Sequence, residues 1–546
     1  MDSPPYDETV RYLRRLASAS PWLSIHTFGQ TPQGRDMIAV IASKDRSFHR
    51  KPSASAHQKP VLLAQSGIHS GEIDGKDAGM MLLRDIVTRS KDALINEVHF
   101  VFVPVFNIDG HERSSAWNRP NQRGPIHQGW RTTAQNLNLN RDYVKADAPE
   151  MRAMLGLINR YNPSLYLDLH VTDGVDYQYD ITFGYNGYGG VESWSPNGAK
   201  WLDTHFRTTV TSALQESGHI PGALVFARND RDITQGLSDG HGDARFSTGY
   251  GDARHLPTVL VENHSLKPFR QRVLGTYVLL EAALQELAKS GAELKAAIAR
   301  DQQHQPATIQ ANYTFQGGAK YETDFAGIDY ELYTSEASGT QEVRWKGTPK
   351  LFPKLPVFQD KPTLHFQRPK AYWVPSTKPE IIDRLKAHGI QLEVLQASRR
   401  VPVEMRRLVD PKPSAQPFES HYTITARTTT ESLDEIFPKG SVRVPTDQPL
   451  GVLACIMLEP EVNDSLFSWG FFPEILQRTE YIEGYVVAPM AERMLKADPK
   501  LRSEFESKVQ NDPAFAKNAE ARLQWFYERS PFYDHRFQLY PVGIER

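Results

Sequence analysis

Two histidines and a glutamate have the types and placing to hold a metal ion. His69 and Glu72 lie three positions apart in PVLLAQSGIHSGE, and His170 closes LYLDLH. Two imidazoles and a carboxylate, two of them close in sequence and the third distant, form the donor set of a catalytic zinc that keeps one position open. In a chain with 18 histidines and 65 acidic residues the HxxE spacing alone decides nothing. Position does more: Val61–Ala64 is a short apolar run of the kind that forms a buried parallel strand, and Ser66, Gly67, Ser70 and Gly71 break it. His170 ends another such run. Parallel strands bring distant residues to one edge of a sheet, where α/β proteins place their ligands. His127, His255 and His264 are alternative third ligands by composition, but they lack this setting.

The elements that must position these residues alternate in type. Residues 6–18 carry apolar positions at helical spacing, and Leu23–Phe28 with Met37–Ala42 read as a hairpin at a sheet edge. After the ligand loop come a helix over 75–90, the strand His99–Phe106, an NIDG turn at 107–110, a helix over Pro149–Tyr161 and the strand Ser164–His170. Further helices are expected at 200–217 and 273–299, with the strand Pro257–Val261 between them. This alternation predicts an α/β fold, a mixed and mostly parallel sheet with helices on both faces. The polar, unpatterned DQQHQPA at 301–307 reads as a linker, which divides the chain into a catalytic domain at 1–302 and a C-terminal region at 308–546. That region is expected to be β-rich first and helical later.

Bulk properties exclude several classes. A formal net charge of -2 gives no footprint for nucleic acid or an anionic membrane. No apolar run approaches about 18 residues, so no membrane span is expected. Cys455 is the single cysteine, which leaves histidine and carboxylate as the metal donors and excludes an intramolecular disulfide.

Taken in order, GQTPQGR near the start, GIHSGE, NIDG, the Trp130-Arg131 pair, LNR and LDLH resemble the zinc carboxypeptidase family of the carboxypeptidase A and B kind, over about residues 5 to 300. The resemblance implies one Zn2+ per catalytic domain and hydrolysis of the C-terminal bond of peptides. It also implies roles. Arg131 would stabilise the oxyanion, and Asn140 with Arg141 would clamp the substrate carboxylate. Glu262, at the end of PTVLVE, would be the general base, and Tyr250 in FSTGYGD the substrate-facing tyrosine, with Tyr177, Tyr179 and Tyr185 as rivals. Residue chemistry agrees for the arginines, because a guanidinium fork matches a carboxylate bidentately. The cluster Asp239, His241, Asp243, Arg245, Asp252 and Arg254 falls where the family shapes its side-chain pocket. Asn107 and Asp109 are expected to serve their own turn. The sequence departs from the pancreatic pattern at Asn138, where those enzymes carry an Asp behind the first histidine ligand; an amide there accepts an imidazole N–H but adds no negative charge.

Two other enzymatic readings share the fold: a zinc amidohydrolase of the aspartoacylase kind, and a carboxypeptidase acting on murein peptides. All of them take a peptide or small amide with a free carboxylate. A non-catalytic binding protein would be marked by loss of a ligand or of the base, and neither is lost. The start MDSPPYDE carries no apolar leader. The expectation is a secreted or periplasmic protein with its leader removed, the alternative being cytoplasmic. The oligomeric state is open.

Overall fold

A computed structural model of the chain describes residues 2–45, 48–49 and 59–546. Its catalytic half is built on strands β1 (Leu23–Gln30), β2 (Asp36–Ala42), β3 (Val61–Ser66), β4 (His99–Val103), β5 (Leu165–Thr172), β6 (Ile181–Gly184), β7 (Pro221–Ala223), β8 (Phe226–Ala227), β9 (Leu237–Asp239) and β10 (Thr258–His264). Eight of these form one sheet in the order β1-β2-β4-β3-β5-β10-β6-β7. The central run β4-β3-β5-β10 is parallel, while β1, β2 and β6 join antiparallel. The sheet is therefore mixed, with a parallel centre, as the alternating pattern requires.

Central strands read as near-continuous apolar runs because both faces are covered. All of β3 and β4 is buried, and β5 is buried up to Val171. Helices Asp74–Thr88, Pro196–Trp201 and Arg207–Glu216 pack on the long helix Phe269–Gln303, while helix Pro149–Tyr161 packs on β1. A π-helical turn, Leu202–Phe206, sits inside the stretch expected as one helix over 200–217.

Residue 301 shows where sequence pattern misleads. Asp301, expected in a linker, is buried in the last turn of the long helix. Its Oδ1 accepts the Asn197 N–H at 3.1 Å and its Oδ2 the Gly198 N–H at 2.7 Å, capping the helix that begins at Pro196.

Beyond it come β11 (Thr308–Phe315), β12 (Tyr321–Thr334), β13 (Gln341–Gln367), β14 (Ala371–Val374), β15 (Glu393–Val394), β16 (Arg399–Pro413), β17 (Ile424–Phe437), β18 (Val442–Pro445) and β19 (Leu539–Glu545). The segments expected as short are instead long ribbons, and β13 alone runs 27 residues. A six-stranded sheet has the order β15-β18-β14-β19-β16-β17, and β13 pairs with β9 of the catalytic half. One contiguous apolar core includes Leu63, Phe102, Leu167 and Val261 together with Tyr372, Val444, Leu453 and Tyr540. The two halves of the chain thus share a core. The helices from Gly484 to Tyr527 hold a smaller cluster of their own around Phe505, Trp525 and Phe526.

Candidate active site

The ligand loop leaves the carboxyl end of β3. Gly67 turns it at φ 68°, a conformation glycine adopts without steric cost, and the Glu72 N–H closes the turn on the His69 carbonyl at 2.8 Å. His170 projects from the neighbouring parallel strand β5, and β10 runs beside β5 with Glu262 in register with His170. Three adjacent parallel strands therefore deliver His69 with Glu72, His170 and Glu262 to one edge of the sheet.

One donor atom each from His69, Glu72 and His170 can be chosen so that all lie within 4.8 Å of one another. His69 Nδ1 is 3.1 Å from Glu72 Oε1, and His170 Nδ1 is 2.9 Å from Glu72 Oε2. All three side chains are buried. Both imidazoles turn the same nitrogen inward and leave Nε2 for a supporting partner, the usual arrangement behind a metal. His69 Nε2 meets Asn138 Oδ1 at 3.1 Å; His170 Nε2 lies 3.0 Å from Asp168 Oδ1. Asp168 stands two residues before His170, on the same face of β5, and also takes Gln65 Nε2 at 2.5 Å. Negative charge behind the site is thus supplied to the second histidine, while the first has an amide.

Electrostatics fit a cation. Burial pushes the Glu262 carboxyl up to about 8 against the pull of His170, with Glu72 and Asp168 adding to the rise. Burial opposes the charge on Glu72, yet His69 and Arg119 hold its pKa well below the usual carboxylate range. Burial lowers His69 to about 4 despite Glu72, whereas Asp168 and Glu72 overcome burial at His170 and raise it well above the ordinary imidazole value. A dication held there would be stabilised by the charge on Glu72 and, by its field, would favour ionisation of Glu262. Glu262 Oε2 is buried without a hydrogen-bond partner. The donor set, its burial and its supporting contacts fit zinc.

Two arginines reach Glu72. Arg131 Nη1 lies 3.8 Å from Oε1 on a side chain 44% exposed, at the rim. Arg119 Nη2 lies 2.6 Å from the same oxygen and its side chain is only 14% exposed. A Cβ on Gly71 would fall 2.5 Å from Arg119 Cγ, so that glycine makes room for the arginine. Arg119, at φ 54°, was not foreseen from sequence: nothing in its neighbourhood, AWNRPN, marks it beyond the following proline. The NIDG segment is a short helix, Ile108–Glu112, rather than a bare turn. Asn107 caps it by accepting the Gly110 N–H at 3.0 Å, and its Nδ2 donates to the Arg131 carbonyl at 3.1 Å. Asp109 is held by Arg35 at 2.6 Å and Thr31 at 2.8 Å, which explains GQTPQGR.

Asn140 and Arg141 follow Asn138 in a short helical turn. Asn140 Oδ1 is buried without a partner, and Arg141 lies over the Phe246 ring at 4.4 Å. Arg141 also lines a cavity of about 460 Å³ with Tyr185, Asp239, His241, Phe315 and Asp360. Leu260, two residues before Glu262 on β10, lines it as well, and Phe315 and Asp360 come from the C-terminal half.

The remaining predicted residues are placed as follows. Tyr250 is fully buried, with its hydroxyl 2.9 Å from His388 Nδ1 and its ring against Tyr143, and it does not line the cavity. Of its rivals, Tyr185 lines the cavity. Of the six-residue charged cluster, only Asp239 and His241 reach the cavity wall; Arg254 donates to the Tyr250 hydroxyl and Arg245 pairs with Asp464. Among the alternative ligands, His127 pairs with Asp2, His255 meets Ser195 Oγ at 2.7 Å, and His264 meets the Val175 carbonyl at 2.9 Å.

A buried pair of histidines and a glutamate at the carboxyl edge of a mixed sheet, with a further buried carboxyl beside them, has the make-up of a metallohydrolase centre. The chain matches the zinc carboxypeptidase family over residues 9–353, and it belongs to that family. Its cofactor is Zn2+, and its reaction is hydrolysis of the C-terminal bond of peptides; the amidohydrolase reading is not favoured. Carboxypeptidase 2 of Trichophyton equinum is 24% identical over 511 residues, covering 86% of this chain and 84% of that protein. Carboxypeptidase 2 of Trichophyton rubrum is 23% identical over 514 residues, with the same coverage. Among solved structures, a metallo-carboxypeptidase from Burkholderia cenocepacia aligns over 52% of this chain and 70% of its own, at 16% identity and TM-score 0.39. Among the described residues no helix is long and apolar enough to cross a membrane.

Proposed function

We propose that His69, Glu72 and His170 hold the zinc, that Glu262 is the general base, that Arg131 stabilises the oxyanion, and that Asn140 and Arg141 bind the C-terminal carboxylate of the substrate peptide. The observation that carries this reading is the convergence of the three donor side chains with Glu262 in register beside His170. Zinc, when bound, supplies Lewis-acid polarisation and makes water acidic near neutral pH. Glu262 then takes a proton from the attacking water at Oε2 and delivers it to the leaving amine. Arg131, held through its carbonyl by Asn107, approaches from the solvent side, where charge builds on the attacked oxygen. Arg141 is kept flat by Phe246, with its fork offered at the mouth of the cavity. Asn140 adds an amide, whose Nδ2 is the end that donates to a carboxylate.

The division of labour belongs to the same proposal: residues 1–302 carry the reacting groups, and 308–546 complete the cavity wall through Phe315 and Asp360. So does an exported location, carried by the family resemblance alone and tested by fractionation of the source cells. The site assignment is tested by Glu262→Gln, which is expected to keep one zinc per chain while release of amino acids from peptides with free C-termini falls by about 10²–10⁴-fold. Turnover at the wild-type rate in that variant removes Glu262 from the mechanism.

A further inference from the structure

The connection between β16 and β17 ends in a tight hairpin tip that reaches the catalytic half. Phe418 and His421 exchange backbone hydrogen bonds of 2.8 and 3.0 Å, leaving Glu419 and Ser420 as a two-residue turn. Both have positive φ, 49° and 70°. Turns of this form favour Asn-Gly, and a non-glycine residue held there is strained. Surrounding contacts hold the strain in place. The Phe418 ring stacks on Trp469 at 5.9 Å, and His421 Nε2 meets Asp147 Oδ2 at 2.7 Å.

What the strained tip presents is a carboxylate. Glu419 Oε1 lies 3.5 Å from Asn138 Nδ2, and Asn138 Oδ1 lies 3.1 Å from His69 Nε2. Asn138 Oδ1 also accepts the Asn140 N–H at 3.1 Å; between these N–H groups on one side and a carboxylate on the other, the amide has only one satisfied orientation, oxygen toward the donors and nitrogen toward the acid. We propose that Glu419 is a positioning residue of the zinc site: its carboxylate accepts from the Asn138 amide, fixes that amide with Oδ1 toward His69, and polarises it. Hydrogen bonds in series strengthen one another at low dielectric, and a partner behind a ligating histidine raises its basicity. The negative charge that Asn138 lacks thus reaches His69 through one intervening amide, from a hairpin some 280 residues along the chain. The inference rests on His69 being a zinc ligand.

The test uses the full chain and three variants: Glu419→Gln, Asn138→Asp, and the two combined. Glu419→Gln keeps an acceptor at the tip and removes its charge. Zinc affinity is read by competition with a chelator and ligand geometry from the visible spectrum of the Co2+-loaded protein, both without substrate, so the outcome is independent of peptide cleavage. Glu419→Gln is expected to bind zinc about 10-fold more weakly and to shift the Co2+ spectrum. The double variant is expected to regain wild-type affinity, because the carboxylate introduced by Asn138→Asp then meets His69 directly; that recovery also shows that the hairpin tolerates the substitution. Wild-type affinity and an unchanged spectrum in Glu419→Gln, with only KM altered, would overturn the proposal in favour of a role at Arg141, whose guanidinium lies in the field of the same carboxylate. Failure of the double variant to recover would overturn it too.

Discussion

Replacing Arg119 by Met separates what that side chain does for the fold from what it does at the metal. In the metal-free protein Arg119 Nη2 stands 2.6 Å from Glu72 Oε1, with 14% and 3% of the two side chains exposed. Breaking a buried pair by removing one partner costs about 3–5 kcal/mol, because the other charge is left uncompensated. Glu72 keeps His69, His170 and the Val171 N–H, at 3.1, 2.9 and 3.1 Å, so the low end, about 3 kcal/mol, is the better figure. Because the two halves share a core, unfolding entropy of about 2.1 cal/mol/K per residue over the 546-residue chain gives about 1.1 kcal/mol/K, and hence a fall in Tm of about 3 °C. Zinc supplies the same carboxylate with two positive charges, so the loaded variant should lose much less. By linkage, a difference of about 2 kcal/mol between the two losses makes zinc bind roughly 30-fold tighter in the variant than in the wild type. Calorimetry with chelator and with zinc, together with a chelator-competition titration, reads all three quantities. Equal losses in both forms, or weaker zinc binding in the variant, would refute the reasoning and make Arg119 a partner of the loaded site.

Three further outcomes follow from the site. Glu262 ionises near its ordinary value when unfolded but at about 8 when folded without metal, so the native state binds the extra proton in between. Stability of chelator-treated protein should therefore fall as pH rises from about 4.5 to 8, and Glu262→Gln should remove that part of the fall in pH-dependent melting curves. Arg141→Met should lower kcat/KM for peptides with free C-termini by about 10²-fold, the worth of a charge-assisted bond, and leave amidated peptides as poor as before. Tyr250→Phe should leave kcat and KM unchanged and lose about 1 kcal/mol of stability with the His388 hydrogen bond; a tenfold loss of kcat would return Tyr250 to the substrate.

The convergence of His69, Glu72, His170 and Glu262 was legible because each follows or ends an apolar run, and parallel strands place such ends together whatever lies between them. His170 lies 101 residues after His69, and Glu262 92 residues after His170, yet they are brought together by the adjacent strands β3, β5 and β10. Residues placed by long-range packing were not legible. Tyr250 was assigned by resemblance to the FSTGYGD segment, but its partner His388 belongs to a helix in the other half of the chain, and no local pattern links them. Arg119 has no periodicity to report it, only a left-handed backbone visible in three dimensions. The ribbons β12, β13, β16 and β17 looked like short segments because prolines within β13 and β16 and shifts of register interrupt their alternation, which the pairing tolerates at bulges.

The strand order of the second half bears on when this enzyme becomes active. In the six-stranded sheet β19 lies between β14 and β16, which have no other common neighbour, so residues 371–374 and 399–413 wait for a segment made more than 120 residues later. Pairings of such sequence separation are slow to form, since loop closure must precede any reward. The hairpin tip behind His69 hangs from β16 and β17, the late side of that sheet. At roughly 5–20 residues per second of synthesis, a ribosome carries the finished ligand strands for tens of seconds before the tip can dock. Through that interval His69 and His170 keep Asn138 and Asp168 behind them but lack the Glu419 carboxylate, so by the proposal above the site reaches its full zinc affinity only after the second half has folded.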